Sequence, residues 1–229
     1  MSAKPLLVLD CWMEAGGGLR SFRPFLADVS VRSIALPHVQ TLPQTCGDVR
    51  GVLISGSAAS VTDNSAWVQQ GLTLVRDALD RNLPMLGVCF GHQLIGEAVG
   101  GQGTVSQMRA AEVGFRDVTL RRGDPLFDAL PARFSTFMSH GDEVHPRPGL
   151  EIWGHSTACP IQALRVSGRP AWGVQFHTEY DRQTQWDLLE LRQTRHPELA
   201  IDPQAEMKHP PNTPRQAHAL FGRFLELCV

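Results

Sequence analysis

Several stretches of the chain are apolar with no polar face. They are Leu6-Leu7-Val8-Leu9, Gly51-Val52-Leu53-Ile54 running into Ser55-Gly56, and Pro84-Met85-Leu86-Gly87-Val88. That pattern belongs to parallel strands covered on both sides. Val29 to Leu36 alternates as a strand does, and residues 20 to 28 predict a short helix. Ser65 to Asn82 places Val68, Leu72, Val75 and Leu79 at steps of four, three and four, which predicts an amphipathic helix with Ser65 as N-cap and Gly71 as a weak point. Another helical segment begins directly after Cys89 and ends near Gly100-Gly101. The order β, α, β, β, α, β, α predicts an α/β fold with a mostly parallel central sheet flanked by helices and ligands at the strand C-termini.

From about residue 103 to 176 the texture changes to short strands at Val113 to Leu120, Arg133 to Ser139, Leu150 to Ser156, Ile161 to Val166 and Ala171 to Phe176. Turn formers separate them, so they are expected to build an additional small antiparallel sheet at one side of the same domain. A helix from Asp181 to Thr194, a Pro-containing loop from His196 to Pro214 and a closing helix to Leu227 complete a single domain over 1–229. Gly16-Gly17-Gly18 follows the first strand, but the G-x-G-x-x-G spacing of a dinucleotide site is absent, so a flexible loop is expected there.

The 229 residues are 42% hydrophobic and 19% charged, with a net charge of -2. These values argue against disorder, a membrane protein and a polyanion-binding surface, so neither nucleic acid nor membrane is expected as a partner. Cys11, Cys46, Cys89, Cys159 and Cys228 are scattered, odd in number and lack a C-x-x-C pair. Reduced thiols in a cytoplasmic protein are expected, with no disulfide framework, zinc site or other cofactor. The apolar run at residues 5–9 is too short for a signal-peptide core or a membrane span.

One stretch carries chemistry. In Gly87-Val88-Cys89-Phe90-Gly91 a cysteine stands between glycines at an expected strand-to-helix turn, the G-x-nucleophile-x-G form of an elbow. The sulfur would project at a helix N-terminus, where the dipole favours thiolate. A free thiol is only a few per cent ionised at neutral pH, so it needs an imidazole. Of nine histidines, His177 follows directly on an apolar strand, and Glu179 two residues on can fix its tautomer. The other four cysteines are expected to be structural, and His92 to pack or cap the elbow helix. Glu112 suits a loop anchor, and Tyr180 either packs over the site or starts a helix.

Gly87-Val88-Cys89-Phe90-Gly91-His92-Gln93 and Gly173-Val174-Gln175-Phe176-His177-Thr178-Glu179 together resemble the class I, triad-type glutamine amidotransferases. Stand-alone proteins similar to the amidotransferase half of GMP synthetase are the nearest match. Ile54-Ser55-Gly56-Ser57-Ala58-Ala59-Ser60-Val61, Glu112-Val113-Gly114 and Ser139-His140-Gly141-Asp142-Glu143-Val144 extend the resemblance over about residues 50 to 180. It implies a flavodoxin-like fold and hydrolysis of the glutamine side-chain amide through a γ-glutamyl thioester. Cys89 would be the nucleophile, His177 the acid and base, and Glu179 its support. The backbone N–H groups of Ser57 and Phe90 would form the oxyanion hole, and Gly56, Gln93, Ser139, His140 and Gly141 would line the substrate site.

Two motifs depart from the family. Thr178 replaces the common proline between histidine and glutamate. Ser57 and Ala58 stand where many relatives have Gly and Pro, and a φ above zero would cost serine energy. No S-G-G-x-D-S or G-x-x-x-x-G-K-[ST] loop is present to activate an acceptor with ATP, so ammonia would pass to a separate synthetase subunit. Alternatively the substrate is a γ-glutamyl peptide or conjugate, or the chain is a non-catalytic module on the same fold.

Overall fold

In strand β1 (Leu6–Asp10) every residue is buried. Leu6 and Val8 pack on one side with Phe22, Phe221 and Phe224. Leu7 and Leu9 pack on the other with Val68, Leu72 and Val75. Two apolar faces on one strand require a layer above and a layer below, which is the architecture of the computed structural model; it describes residues 4–41, 43–208, 210–211 and 213–228.

The remaining strands are β2 (Val31–Ala35), β3 (Gly51–Ile54), β4 (Met85–Val88), β5 (Val105–Leu120), β6 (Arg133–Val144), β7 (Leu150–His155), β8 (Ala163–Val166) and β9 (Ala171–Val174). They form one sheet in the order β2-β1-β3-β4-β9-β8-β7-β5-β6. The first five in that order run parallel. From β8 to β6 the pairing is antiparallel. The expected small antiparallel sheet is therefore not separate. β8 hydrogen-bonds to β9, so the antiparallel strands extend the parallel sheet from its edge, and the described residues hold no second sheet.

Helices α1 (Gly17–Phe22) and α6 (Thr213–Leu227) cover one face of the parallel part, and α2 (Ala66–Asp80) and α3 (Phe90–Gly100) the other. Helix α4 (Arg182–Arg195) and the short α5 (Pro203–Glu206) lie over the antiparallel part, where Leu189 and Met207 pack with Val113, Phe137 and Tyr180. Ser65 holds the N-cap position of α2, yet its hydroxyl makes no capping hydrogen bond.

The glycine triplet is not a flexible loop. Gly17 and Gly18 begin α1 because the Asp10 carboxylate accepts hydrogen bonds from the N–H groups of Trp12, Gly18 and Leu19 at 3.1–3.2 Å. A side chain at 18 would collide with Ser55 and Asp10. The expected helix at 20–28 accordingly starts earlier and passes into a 3-10 turn at Arg23–Phe25. The segment expected as a loop from His196 to Pro214 contains a 3-10 turn at Pro197–Leu199 and α5. Residues 209 and 212 of that stretch lie outside the described residues. Asp202 caps α5 through the N–H groups of Gln204 and Ala205, and Glu206 ties it to β5 through Phe115 N–H at 2.8 Å and Arg116 at 3.0 Å. Among the described residues no helix is long and apolar enough to cross a membrane.

Candidate active site

The β4–β9 register pairs Val88 with Val174, so the chain leaves both strands at the same edge of the sheet. Cys89 is the next residue after β4, and its N–H donates to Val174 O at 2.8 Å. It has φ 52° and ψ -101° as the N-cap of α3. A non-glycine residue held there stores about 1–3 kcal/mol of strain, which the surrounding packing must supply. A Cβ on Gly87 would lie 2.3 Å from Gly91 O, and one on Gly91 2.6 Å from Ile54 O, so the glycines permit the close crossing of β3, β4 and α3. The cysteine is only 4% exposed.

His177 follows β9, and its backbone is fixed on both sides. Its N–H donates to Phe137 O at 2.8 Å, and its C=O accepts from Thr136 Oγ1 at 3.0 Å. Nδ1 lies 2.7 Å from Glu179 Oε1, and His177 and Cys89 line the same lobe of a cleft. Burial alone would depress the imidazole, but the charge of Glu179 and a thiolate at Cys89 outweigh it and push the pKa up to about 10. Glu179 Oε2 is buried with no hydrogen-bond partner among the described residues, so His177 alone compensates that carboxylate, and a buried unpaired charge is costly. Tyr180 stacks on the His177 ring at 4.2 Å between centroids and 18° between planes; it packs over the site, and it also immediately precedes Asp181, the N-cap of α4.

Gly56 lies beneath this pair. A side chain there would stand 3.2 Å from His177 Cε1 and 3.3 Å from the Tyr180 hydroxyl. Ser57 is not among the residues with positive φ, so the strain its identity threatened does not arise in this structure. Its hydroxyl accepts from Ala59 N–H at 3.1 Å. Phe90 begins α3, where first-turn N–H groups have no intrahelical acceptor. Ser57 and Cys89 border a cleft.

The cleft has two lobes. One, of about 460 Å³, is lined by Ser57, Gln93, Ser139, His140, Gly141 and Arg192 among others. The second, of about 340 Å³, runs past His177 and Tyr180. Ser57, Cys89, Ser139, Arg192 and His196 border both. Gln93 is held by Gln175 Oε1 at 3.1 Å and Asp142 O at 3.3 Å. A side chain at Gly141 would meet only Ala111 Cβ, at an ordinary contact distance of 3.9 Å.

His140 forms part of the wall but turns its ring inward. Nε2 meets Glu112 at 3.2 Å, and Nδ1 meets Asp142 O at 3.0 Å. Glu112 also accepts from Ser156 at 2.7 Å and Gln162 at 2.6 Å. Burial would raise its carboxyl, but the hydrogen bonds from His140 and Ser156 hold it below the usual range. Glu112 is therefore an internal brace joining β5, β6 and the β7–β8 connection. Among the described residues, Glu112, His140 and Cys159 are the group whose donor atoms come within 4.8 Å of one another. The carboxylate is already occupied by three donors and burial pushes the Cys159 thiol up to about 12, so the trio is poorly disposed to take a metal.

Burial also raises the thiols of Cys11, Cys46 and Cys228, the last two to about 12. It lowers His92 to about 3, which keeps that ring neutral beneath α3. His177 and His92 are thus shifted in opposite directions. Sequence reasoning did not single out Trp12 or Arg192. Arg192 reaches from α4 to Ser139, donating through Nε to Oγ at 3.2 Å and through its terminal nitrogen to the carbonyl at 3.1 Å. In the sequence it reads only as a cation in the last turn of a helix.

The family model of the class-I glutamine amidotransferases matches residues 19–191. A Methanocaldococcus jannaschii protein described as one subunit of a glutamine-hydrolyzing GMP synthase is 33% identical over 76% of this chain and 87% of its own length. A glutamine-hydrolyzing GMP synthase of Lactobacillus delbrueckii is 33% identical over 73% of this chain but only 31% of its own length. Among solved structures, a glutamine amido transferase from Methylobacillus flagellatus superposes with a TM-score of 0.79 at 23% identity, covering 98% of this chain and 95% of the other. A glutamine amidotransferase from Thermotoga maritima gives 0.80 at 19% identity over 100% and 99%. At those identities the structural likeness shows the fold.

Proposed function

Because the chain belongs to the class-I glutamine amidotransferases, we propose that it hydrolyses the glutamine side-chain amide to glutamate and ammonia through a Cys89-His177-Glu179 triad. The observation that carries this reading is the 2.7 Å bond from His177 to Glu179 beside a cysteine held at positive φ on a strand-to-helix elbow. Cys89 attacks the amide carbon. The oxyanion so formed takes hydrogen bonds from the N–H groups of Ser57 and Phe90, each donor of this kind being worth about 3 kcal/mol of barrier. His177 protonates the departing nitrogen and then takes a proton from the water that opens the thioester. Gln93, Ser139 and Gly141 hold the head group in the larger lobe, with Gly56 keeping the floor clear and His140 bracing the wall.

The ammonia passes to an acceptor enzyme on another chain. The Methanocaldococcus relative is described as one subunit of a synthase, which supports a separate synthetase subunit in that role. The test is release of glutamate from glutamine by the purified full chain, with mass-spectrometric mapping of the adduct left by 6-diazo-5-oxo-norleucine. Cys89→Ala should abolish both. An unlabelled Cys89 would favour a non-catalytic module, and undiminished turnover by the variant would remove Cys89 from the mechanism.

A further inference from the structure

An imidazole that serves as both acid and base uses one nitrogen twice, first to give a proton to the departing nitrogen and then to take one from water. Its ring must keep the same plane through both steps. Glu179 does not fix that plane. It holds Nδ1 through one oxygen, and its other oxygen has no partner among the described residues. One hydrogen bond sets a distance but lets ring and carboxylate turn together, and a catalytic side chain is held in orientation only when packing locks it. Thr178 between the two adds no anchor, because its hydroxyl is buried without a hydrogen-bond partner among the described residues.

Tyr180 lies flat against the ring, with 4.2 Å between centroids and 18° between planes. Tyr180 is itself held edge-on by Trp12 at 6.0 Å and 82° and by Phe137 at 6.3 Å and 70°. Its carbonyl accepts from Gln185 Nε2 at 3.0 Å. Phe137 also receives the His177 N–H on its carbonyl, so one residue fixes both the backbone of the histidine and the ring that covers it. Trp12 comes from the β1–α1 connection, and its N–H donates to Asp10 Oδ1 at 3.1 Å. A Cβ on Gly17 would lie 2.5 Å from the indole, so the indole is seated on the start of α1. Trp12, Met13 and Tyr180 line the smaller lobe with Cys89 and His177. Burial raises the Tyr180 phenol well above its ordinary range, so its ring stays neutral, and a neutral aromatic face favours a cation over it.

We propose that Tyr180 is a positioning residue for the general acid and base: its ring holds the His177 imidazole in one plane, and Trp12 holds Tyr180 in place. This rests on the triad reading above. In this role Tyr180 gives and takes no proton, and its hydroxyl is dispensable. The stacked ring supplies the orientation that a carboxylate bonded through a single oxygen cannot. Trp12 links that orientation to the seating of α1 on Asp10.

The experiment measures steady-state release of glutamate from glutamine by the full-length wild type, Tyr180→Phe, Tyr180→Leu, Trp12→Leu and the Trp12→Leu/Tyr180→Leu double variant, with a urea midpoint for each. Tyr180→Leu should lower kcat about 100-fold, the scale for a catalytic group displaced by about 1 Å, with KM within about threefold of wild type. Tyr180→Phe keeps the stacked ring and should restore kcat to within about threefold of wild type, since little is asked of the hydroxyl. Trp12→Leu should lower kcat about tenfold alone but less than about twofold in the Tyr180→Leu background, because residues acting through one contact are not additive. Trp12 is only half-buried, so Trp12→Leu still decides the matter if Tyr180→Leu does not fold, and an unchanged kcat in it overturns the proposal. Equal losses in Tyr180→Phe and Tyr180→Leu, or fully multiplicative losses in the double variant, also overturn it. A wild type that turns over glutamine no faster than Tyr180→Leu overturns this proposal alone. A wild type that releases no glutamate and takes no 6-diazo-5-oxo-norleucine label at Cys89 removes the triad reading and this proposal together.

Discussion

Glu179 has one oxygen on His177 and the other without a partner among the described residues. Its charge is what keeps the imidazole protonated. Glu179→Gln should therefore lower kcat by about 100-fold or more, the usual range for loss of a positioned acid and base. It should also move the alkaline limb of the kcat/KM profile to lower pH, because His177 titrates near 10 only while its partner is charged. The same shift sets a stability signature. An unfolded histidine titrates near 6.5, so the contribution of the pair is complete below that pH. Between 6.5 and about 10 the folded state binds the extra proton, and stability falls as pH rises through that window. The urea-midpoint gap between wild type and Glu179→Gln should be widest near pH 6 and narrow toward pH 10. A gap that grows with pH would contradict this assignment.

At the level of elements, the elbow works because β3, β4 and α3 cross without side chains between them. Gly87→Ala would drive a methyl group into Gly91 O, where backbone must move, at a cost of about 3 kcal/mol in urea denaturation. Helix α4 contributes to the cleft through Arg192, whose fork holds both the hydroxyl and the carbonyl of Ser139. Lysine keeps the charge but not the two-point geometry. Arg192→Lys should therefore raise KM for glutamine about tenfold, with a smaller change in kcat, in steady-state kinetics. An unchanged KM would show that Ser139 holds its place without α4. The segment after α4 is anchored as well as linked, since Glu206 bonds Phe115 N–H and Arg116. Glu206→Ala should speed proteolysis within residues 197–208 without loss of the elbow.

Across the whole molecule, the closing helix completes the layer beneath the parallel strands. Phe221 is fully buried against Phe22 and Phe25, with ring centroids 5.4 and 5.5 Å away. Arg50 ties the chain just before β3 to the carbonyls of Leu225 and Cys228 at 3.1 and 3.0 Å. Phe221→Ala should cost about 3–5 kcal/mol of global stability, measured by chemical denaturation. A loss below about 1 kcal/mol would mean that α6 folds on late and contributes little to the core.

Local chemistry was legible in the chain itself. Apolar runs without a polar face gave the buried strands, because burial on two sides leaves no position for a polar residue. The glycines around Cys89 gave the elbow, because only they allow its crossing. The placing of Cys89 and His177 near one edge could be read because each comes at or just after the end of an apolar strand, and neighbouring parallel strands end at one edge. What tertiary structure alone decided involves residues far apart in sequence. The antiparallel strands join the parallel sheet instead of forming their own, since β8 finds its hydrogen-bond partner in β9. His140 turns to Glu112, which is 28 positions away, rather than to the cleft. Gly17 and Gly18 become helical because Asp10 accepts their turn's N–H groups. Arg192, Trp12 and Met13 carry no signal in their own neighbourhoods. They reach the cleft only because α4 and the β1–α1 connection are folded over it, and long-range packing of that kind leaves no periodic trace in the sequence.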